Sequence, residues 1–168
     1  MPTNAEQSLK KAMELEGDDK PSTGFLAQVL TQANRAHEVP PLWKSILDSN
    51  PKNSHAWANY AGSLMQIGNS AEALRALDEG MEKAEDQLVI KRAYAPALAS
   101  VKEFDKAMDY YEDCLDAAPT DISVLWEYAQ TLQAAERTFE VPKYLRDILG
   151  ANPDPNMRAN VLAWLVEL

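Results

Sequence analysis

The chain has 168 residues, 46% of them hydrophobic and 25% charged, so it can bury a core but is too short for two ordinary enzymatic domains. Its 26 acidic against 16 basic residues give a net charge of -10, which disfavours nucleic acid and anionic membrane surfaces as partners. The single cysteine, Cys114, can form no internal disulfide, and no signal-peptide core or long apolar stretch occurs. We therefore expect a cytoplasmic protein without a membrane-spanning helix.

The first predicted element is a helix within residues 1–19. Its apolar residues recur at helical spacing, which indicates one buried face. Thr3 or Asn4 is expected to cap the start of this helix, and Gly17 is expected to end it.

The chain then repeats itself. Residues 30–51 and 132–153 are identical at ten of 22 aligned positions, and the offset between them is 102 residues. Since 102 is three times 34, the spacing predicts a 34-residue structural unit.

Columns at this period place similar side chains in the same position of each unit. Three such columns are Ala27, Ala61, Ala95, Ala129 and Ala163; Leu26, Tyr60, Tyr94, Tyr128 and Leu162; and Leu30, Leu64, Leu98, Leu132 and Val166. The apolar spacing inside each unit is that of two helices joined by a short polar turn. We predict four helix pairs, 20–53, 54–87, 88–121 and 122–155, and a last helix over 156–168.

Proline positions agree with this division. Pro40 and Pro142 are predicted in the first turn of their helices, where the missing N–H is not needed. Pro96 is different because it falls in the middle of a predicted helix, where it cannot donate to the carbonyl of Arg92. Three alternatives remain open for Pro96. It forms a kink that exposes the carbonyl of Arg92 as a hydrogen-bond acceptor, it forms a kink without functional consequence, or the helix starts late.

The sequence resembles the tetratricopeptide repeat (TPR) family, whose period is 34 residues. The unit 54–87 matches its pattern best, through Trp57, Tyr60, Ala61, Leu64, Gly68, Ala73, Leu77 and Gly80. The resemblance covers almost the whole chain. It implies a single all-α domain over 1–168, a right-handed α-solenoid of antiparallel helix pairs with about ten helices.

Residues suited to catalysis are few. His37 and His55 are the only histidines, and no further histidine or cysteine lies at metal-ligand spacing from them. Cys114 falls in an apolar column and is expected to be a buried, unreactive thiol. The sequence therefore predicts a non-enzymatic protein without metal or cofactor.

The resemblance instead implies a concave surface, lined by the first helix of each pair, that binds a peptide segment. Helical geometry selects candidate groove residues two positions before, or one and two positions after, the tyrosine–alanine columns. They are Phe25, Gln28, His55, Asn59, Met65, Gln66, Arg92, Trp126, Glu127, Gln130 and Gln133. Amides suit peptide backbone and Arg92 suits a carboxylate, whereas Trp126 is either a groove anchor or packed on a neighbouring helix.

Chaperone-adaptor members of the family bind a carboxyl-terminal carboxylate through paired lysine, asparagine and arginine side chains. Only Asn59 matches that set, because the first pair is Gly24 and Gln28 and the third is Val89 and Ala93. No carboxylate clamp of that type is predicted.

Three hypotheses about function remain open. The first is a protein interaction module that binds a partner segment in its groove. The second is the recruiting arm of a larger enzyme, such as a transferase or oxygenase, and the third is a secretion chaperone, against which the continuous repeat register counts. Self-association through the apolar carboxyl-terminal helix, near Trp164 and Leu165, is also expected to be possible.

Overall fold

The computed structural model describes residues 4–15 and 21–168. In these residues the chain forms ten α-helices, a short 3-10 turn at Ala36–Glu38 and no strand. The helices are α1 Asn4–Leu15, α2 Pro21–Gln32, α3 Val39–Ser49, α4 Ser54–Gln66, α5 Ser70–Lys83, α6 Gln87–Ser100, α7 Phe104–Ala117, α8 Ile122–Ala134, α9 Val141–Gly150 and α10 Pro155–Glu167. The predicted all-α fold with about ten helices is confirmed.

The chain divides into two compact units, unit 1 (Met1–Ile90) and unit 2 (Lys91–Leu168). In unit 1, consecutive helices from α1 through α5 pack against one another. In unit 2, consecutive helices from α7 through α10 do so. The boundary falls inside α6, within the predicted repeat 88–121. The predicted grouping of all repeats into one domain stays a prediction.

Three members of the alanine column are fully buried. Ala61 in unit 1, and Ala95 and Ala129 in unit 2, have no solvent-exposed surface. Their size allows the two helices of a pair to approach, and neighbouring leucines such as Leu64 and Leu132 fill the space around them. The predicted equivalence of these three positions is confirmed.

The carboxyl-terminal helix departs from the column pattern. Leu162, Ala163 and Val166 are exposed, and Val161 is the buried residue of α10. The column positions that are buried in α4, α6 and α8 are therefore exposed in α10. The reason is packing: α10 contacts α9, and no helix of the described chain covers the face that a following helix covers in the earlier pairs.

The backbone itself repeats every 34 residues. Asn34, Gly68, Lys102 and Glu136 all adopt left-handed conformations, with φ of 60°, 81°, 66° and 61°. After each of them, a backbone N–H donates to the carbonyl five residues earlier, for example Asn69 to Leu64 at 2.9 Å and Arg137 to Leu132 at 2.9 Å. These bonds close the end of the first helix of each pair.

The prolines lie where the spacing predicts. Pro40 and Pro142 occupy the first turns of α3 and α9. Pro96 lies inside the continuous helix α6, so the late helix start is wrong. The predicted caps Thr3 and Gly17 lie outside the described residues, and Asn4 is the first helical residue.

A buried carboxylate connects α1 to the end of α2. Glu6 is 1% exposed and accepts hydrogen bonds from Arg35 at 2.9 and 3.0 Å. Arg35 also donates to Glu38 at 2.6 and 2.8 Å, and these bonds, followed by those to Glu6, raise the pKa of Arg35. In unit 2, Arg137 makes the equivalent pair with Glu140, but Met108 takes the place of the buried carboxylate, with its sulfur 3.2 Å from Arg137.

Candidate functional site

Unit 1 contains a groove between its two first helices, α2 and α4, with α3 beneath them. We call it the amide groove. Its volume is about 310 Å³ and its lining is Gly24, Ala27, Gln28, Thr31, Val39, Trp43, Ala58, Asn59, Gly62, Ser63 and Gln66. Three predicted groove residues, Gln28, Asn59 and Gln66, thus lie together on facing helices.

The amide groove is polar at its rim and uncharged throughout. Gln28, Asn59 and Gln66 are exposed, and none of the lining residues is acidic or basic. Gln66 accepts one long hydrogen bond from Thr31, at 3.5 Å, while the side chains of Gln28 and Asn59 have no hydrogen-bond partner in the described part of the chain. Each free amide can donate to and accept from a peptide backbone.

Unit 2 contains a second groove, between α8 and α10, which we call the tryptophan groove. Its volume is about 360 Å³ and its lining is Trp126, Gln130, Gln133, Asn160, Ala163, Trp164 and Glu167. The rings of Trp126 and Trp164 meet edge to face, with centroids 5.1 Å apart and planes at 76°. Trp126 thus packs on a neighbouring helix and also lines the groove, and its role as a groove anchor stays a prediction.

Five predicted residues, Arg92 and the four described here, lie outside these two grooves. Phe25 is 61% exposed on α2 but does not line the amide groove, and Met65 is half-buried on α4. His55 lies in a separate polar hollow that also includes Glu85 and Asp86. Glu127 is half-buried on α8 and does not line the tryptophan groove.

Arg92 has a partner within its own unit. It donates to Asp121 at 2.8 Å, and Asp121 in turn caps α8 by accepting from the backbone of Ser123 and Val124. Burial raises the pKa of Glu127, and Asp121 adds to this effect while Arg92 opposes it. The guanidinium is therefore engaged by a carboxylate of the chain, although its binding of a partner stays a prediction.

A further cavity lies in a place that sequence reasoning did not identify. It measures about 470 Å³, lies between α3 and α5 beside α4, and has both acidic and basic residues on its walls, including Lys44, Asp48, Arg75 and Glu79. Trp57 also lines it and donates to the carbonyl of Pro51 at 2.8 Å. Because its walls come from three helices and carry mixed charge, no single spacing in the sequence marks it.

Groups suited to catalysis are also few in the structure. Within residues 4–15 and 21–168, no cluster of three histidine, cysteine or acidic residues could hold a metal ion. Cys114 is 4% exposed, and burial raises the pKa of its thiol, which confirms the buried position predicted for it. In the described part of the chain, no helix combines the length and apolar character needed to cross a bilayer.

Comparisons with known proteins identify the fold. No protein-family model and no curated protein matches the chain. Among solved structures, YrrB, a TPR protein with an unusual peptide-binding site, has a TM-score of 0.65 and 16% identity over 95% of this chain and 84% of YrrB. PilF of Pseudomonas aeruginosa has a TM-score of 0.68 and 21% identity, over 90% of this chain and 70% of PilF.

A tetratricopeptide repeat protein from Parabacteroides merdae gives a TM-score of 0.75 at 14% identity, over 96% of this chain and 65% of that protein. At such identities the similarity concerns architecture. The chain has the all-α fold of tetratricopeptide repeat proteins, as the 34-residue columns predict.

Proposed function

We propose that this protein is a non-enzymatic interaction module that binds an extended peptide segment of a partner protein in the amide groove. The observation that carries the proposal is the convergence of Gln28, Asn59 and Gln66, from two facing helices, on one uncharged depression. An extended segment presents unpaired N–H and C=O groups along its length, and amide side chains can satisfy both.

We choose the amide groove over the other surfaces because candidate side chains elsewhere already contact other parts of the chain. In unit 2, Trp126 is packed against Trp164 and Arg92 is paired with Asp121. In the amide groove, by contrast, the side chains of Gln28 and Asn59 are free of hydrogen-bond partners in the described part of the chain. YrrB, which has the same fold, is a TPR protein with a peptide-binding site, and this supports a peptide as the ligand class.

The remaining parts of the proposal follow from charge and cysteine chemistry. A net charge of -10 disfavours nucleic acid as a partner, and a single buried thiol suits a cytoplasmic setting. No cofactor or metal is assigned to the protein.

The proposal is tested by affinity capture from native lysate followed by mass spectrometry. The test variant carries Gln28→Ala, Asn59→Ala and Gln66→Ala. The matched control carries alanine at Gln7 and Gln32, two exposed glutamines outside the groove.

Partners that bind the wild type and the control but not the triple variant are the expected result. Far-UV circular dichroism must show that all three proteins are equally helical. If the triple variant captures the same partners in the same amounts, the groove is not the binding site and the proposal is wrong.

A further inference from the structure

The two grooves are built from equivalent positions of the repeat. Helices α2, α3 and α4 correspond to α8, α9 and α10 at an offset of 102 residues, which is three periods. The backbone confirms the correspondence, since Asn34 and Glu136 have φ of 60° and 61°. Arg35 and Arg137 likewise each donate through Nε, at 2.6 Å, to the glutamate three residues later.

The polar rim is kept only in part between the two grooves. The corresponding pairs are Gln28 with Gln130, Thr31 with Gln133, and Ala58 with Asn160. Both grooves therefore have an amide side chain at one shared position, that of Gln28 and Gln130.

Two positions differ greatly in side-chain size. Gly24 and Gly62 of the amide groove correspond to Trp126 and Trp164 of the tryptophan groove. The two indoles are in edge-to-face contact, whereas no heavy atom lies within 4 Å of where a Cβ would be at either glycine. A side chain would thus leave the backbone into open space at both glycines in unit 1.

We propose that the amide groove binds a segment with a large aromatic side chain, whose ring lies between Gly24 and Gly62. This inference rests on the proposed function and specifies the chemistry of the partner. In unit 2 the two rings at the equivalent positions lie with their centroids 5.1 Å apart. Rigid aromatic side chains bury a large area for little loss of conformational entropy, so they are effective anchors in such pockets.

The lining supports an aromatic, uncharged segment. Trp43 and Val39 form an apolar surface on α3 that a ring can contact, while Gln28 and Asn59 are placed to bind the flanking peptide bonds. No acidic or basic residue lines the groove, so a charged side chain buried there would lose its hydration without gaining a partner. The segment is therefore expected to be neutral at the anchor position.

The test uses N-acetyl-tryptophanamide as the probe and N-acetyl-alaninamide as the matched control ligand. Each is titrated at millimolar concentration into isotope-labelled protein, and backbone amide NMR shifts are followed. The aromatic probe is expected to shift amides around Gly24 and Gly62, and the control ligand is expected to leave them unchanged. Shifts confined to other helices would overturn the proposal.

Three variants sharpen the test. Gly62→Trp fills the space and should weaken probe binding by about tenfold or more. Gly150→Trp is the matched control, because it adds an indole at the exposed end of α9 where nothing lies within 4 Å. Gly24→Trp repeats the test from the facing helix in case Gly62→Trp is not helical by circular dichroism. A folded filled variant that binds the probe like the wild type would refute the assignment.

The reverse exchange gives an independent result. A double variant with Trp126→Ala and Trp164→Ala should create a second probe site, seen as new shifts on α8 and α10. Absence of that site in a folded double variant would contradict the equivalence of the two grooves.

The outcomes also separate this inference from the proposed function. If the aromatic probe does not bind, yet the amide triple variant loses its protein partner, the aromatic anchor is wrong and the peptide groove stands. If the triple variant keeps its partner, the proposed function fails.

Discussion

Two glycines six residues apart should respond in opposite directions to the same substitution. Gly62 lies inside helix α4, and Gly68 lies in the turn after it with φ of 81°. A Cβ at either position would meet no heavy atom within 4 Å. Packing therefore contributes nothing to the difference, and the backbone alone decides the sign.

The magnitudes follow from backbone conformation. Gly62→Ala replaces a poor helix former by the best one and should raise the free energy of unfolding by about 1 kcal/mol. Gly68→Ala places a Cβ in the left-handed region, which costs about 1–2 kcal/mol. Alanine also reduces the conformational freedom of the unfolded chain, which stabilises the folded state by about 0.4–1 kcal/mol. The free energy of unfolding should therefore fall by about 1 kcal/mol in Gly68→Ala. The two variants should differ by about 2 kcal/mol.

Equilibrium unfolding in urea, followed by circular dichroism, measures both values. The dependence of the free energy on urea must be equal in the wild type and the variants, so that the values are comparable. In a chain of this length each 1 kcal/mol should also move the melting temperature by roughly 2–4 °C. A shift of both variants in the same direction would refute the assignment of left-handed geometry to the turn. Glu136→Gly, at the equivalent turn of unit 2, should be stabilising.

Three further predictions concern other contacts. Glu6→Ala should lower the urea midpoint more than Glu6→Met, because Met108 already occupies the equivalent position in unit 2. If the two variants lowered the midpoint equally, that equivalence would be contradicted. Burial raises the pKa of Tyr111 to about 12, so the folded state keeps this phenol protonated where the unfolded chain ionises near 10. The contribution of Tyr111 to stability is then fully present below about pH 10 and falls as the pH rises towards 12. Urea unfolding at several pH values should show a smaller loss of stability over this range in Tyr111→Phe than in the wild type. Calorimetric titration with a peptide ending in Glu-Glu-Val-Asp should give no tight binding, since no basic residue lines the amide groove; submicromolar affinity would overturn this.

The sequence alone was sufficient for the fold because each repeat must bury the same positions. Ala61, Ala95 and Ala129 occur every 34 residues because two helices approach closely there, and this requirement leaves a direct trace in the sequence. The same holds for Pro40 and Pro142, because the N–H that proline lacks is not needed in the first turn of a helix.

Tertiary structure decided which predicted groove residues belong together. Helical spacing placed eleven side chains on one face, but it did not show that Arg92 is paired with Asp121 or that Trp126 meets Trp164. Those contacts join residues 29 and 38 positions apart, and their strength depends on the angle and distance between helices, which periodicity does not encode. The open space at Gly24 and Gly62 is likewise a property of two helices taken together, since a glycine in isolation predicts only backbone freedom.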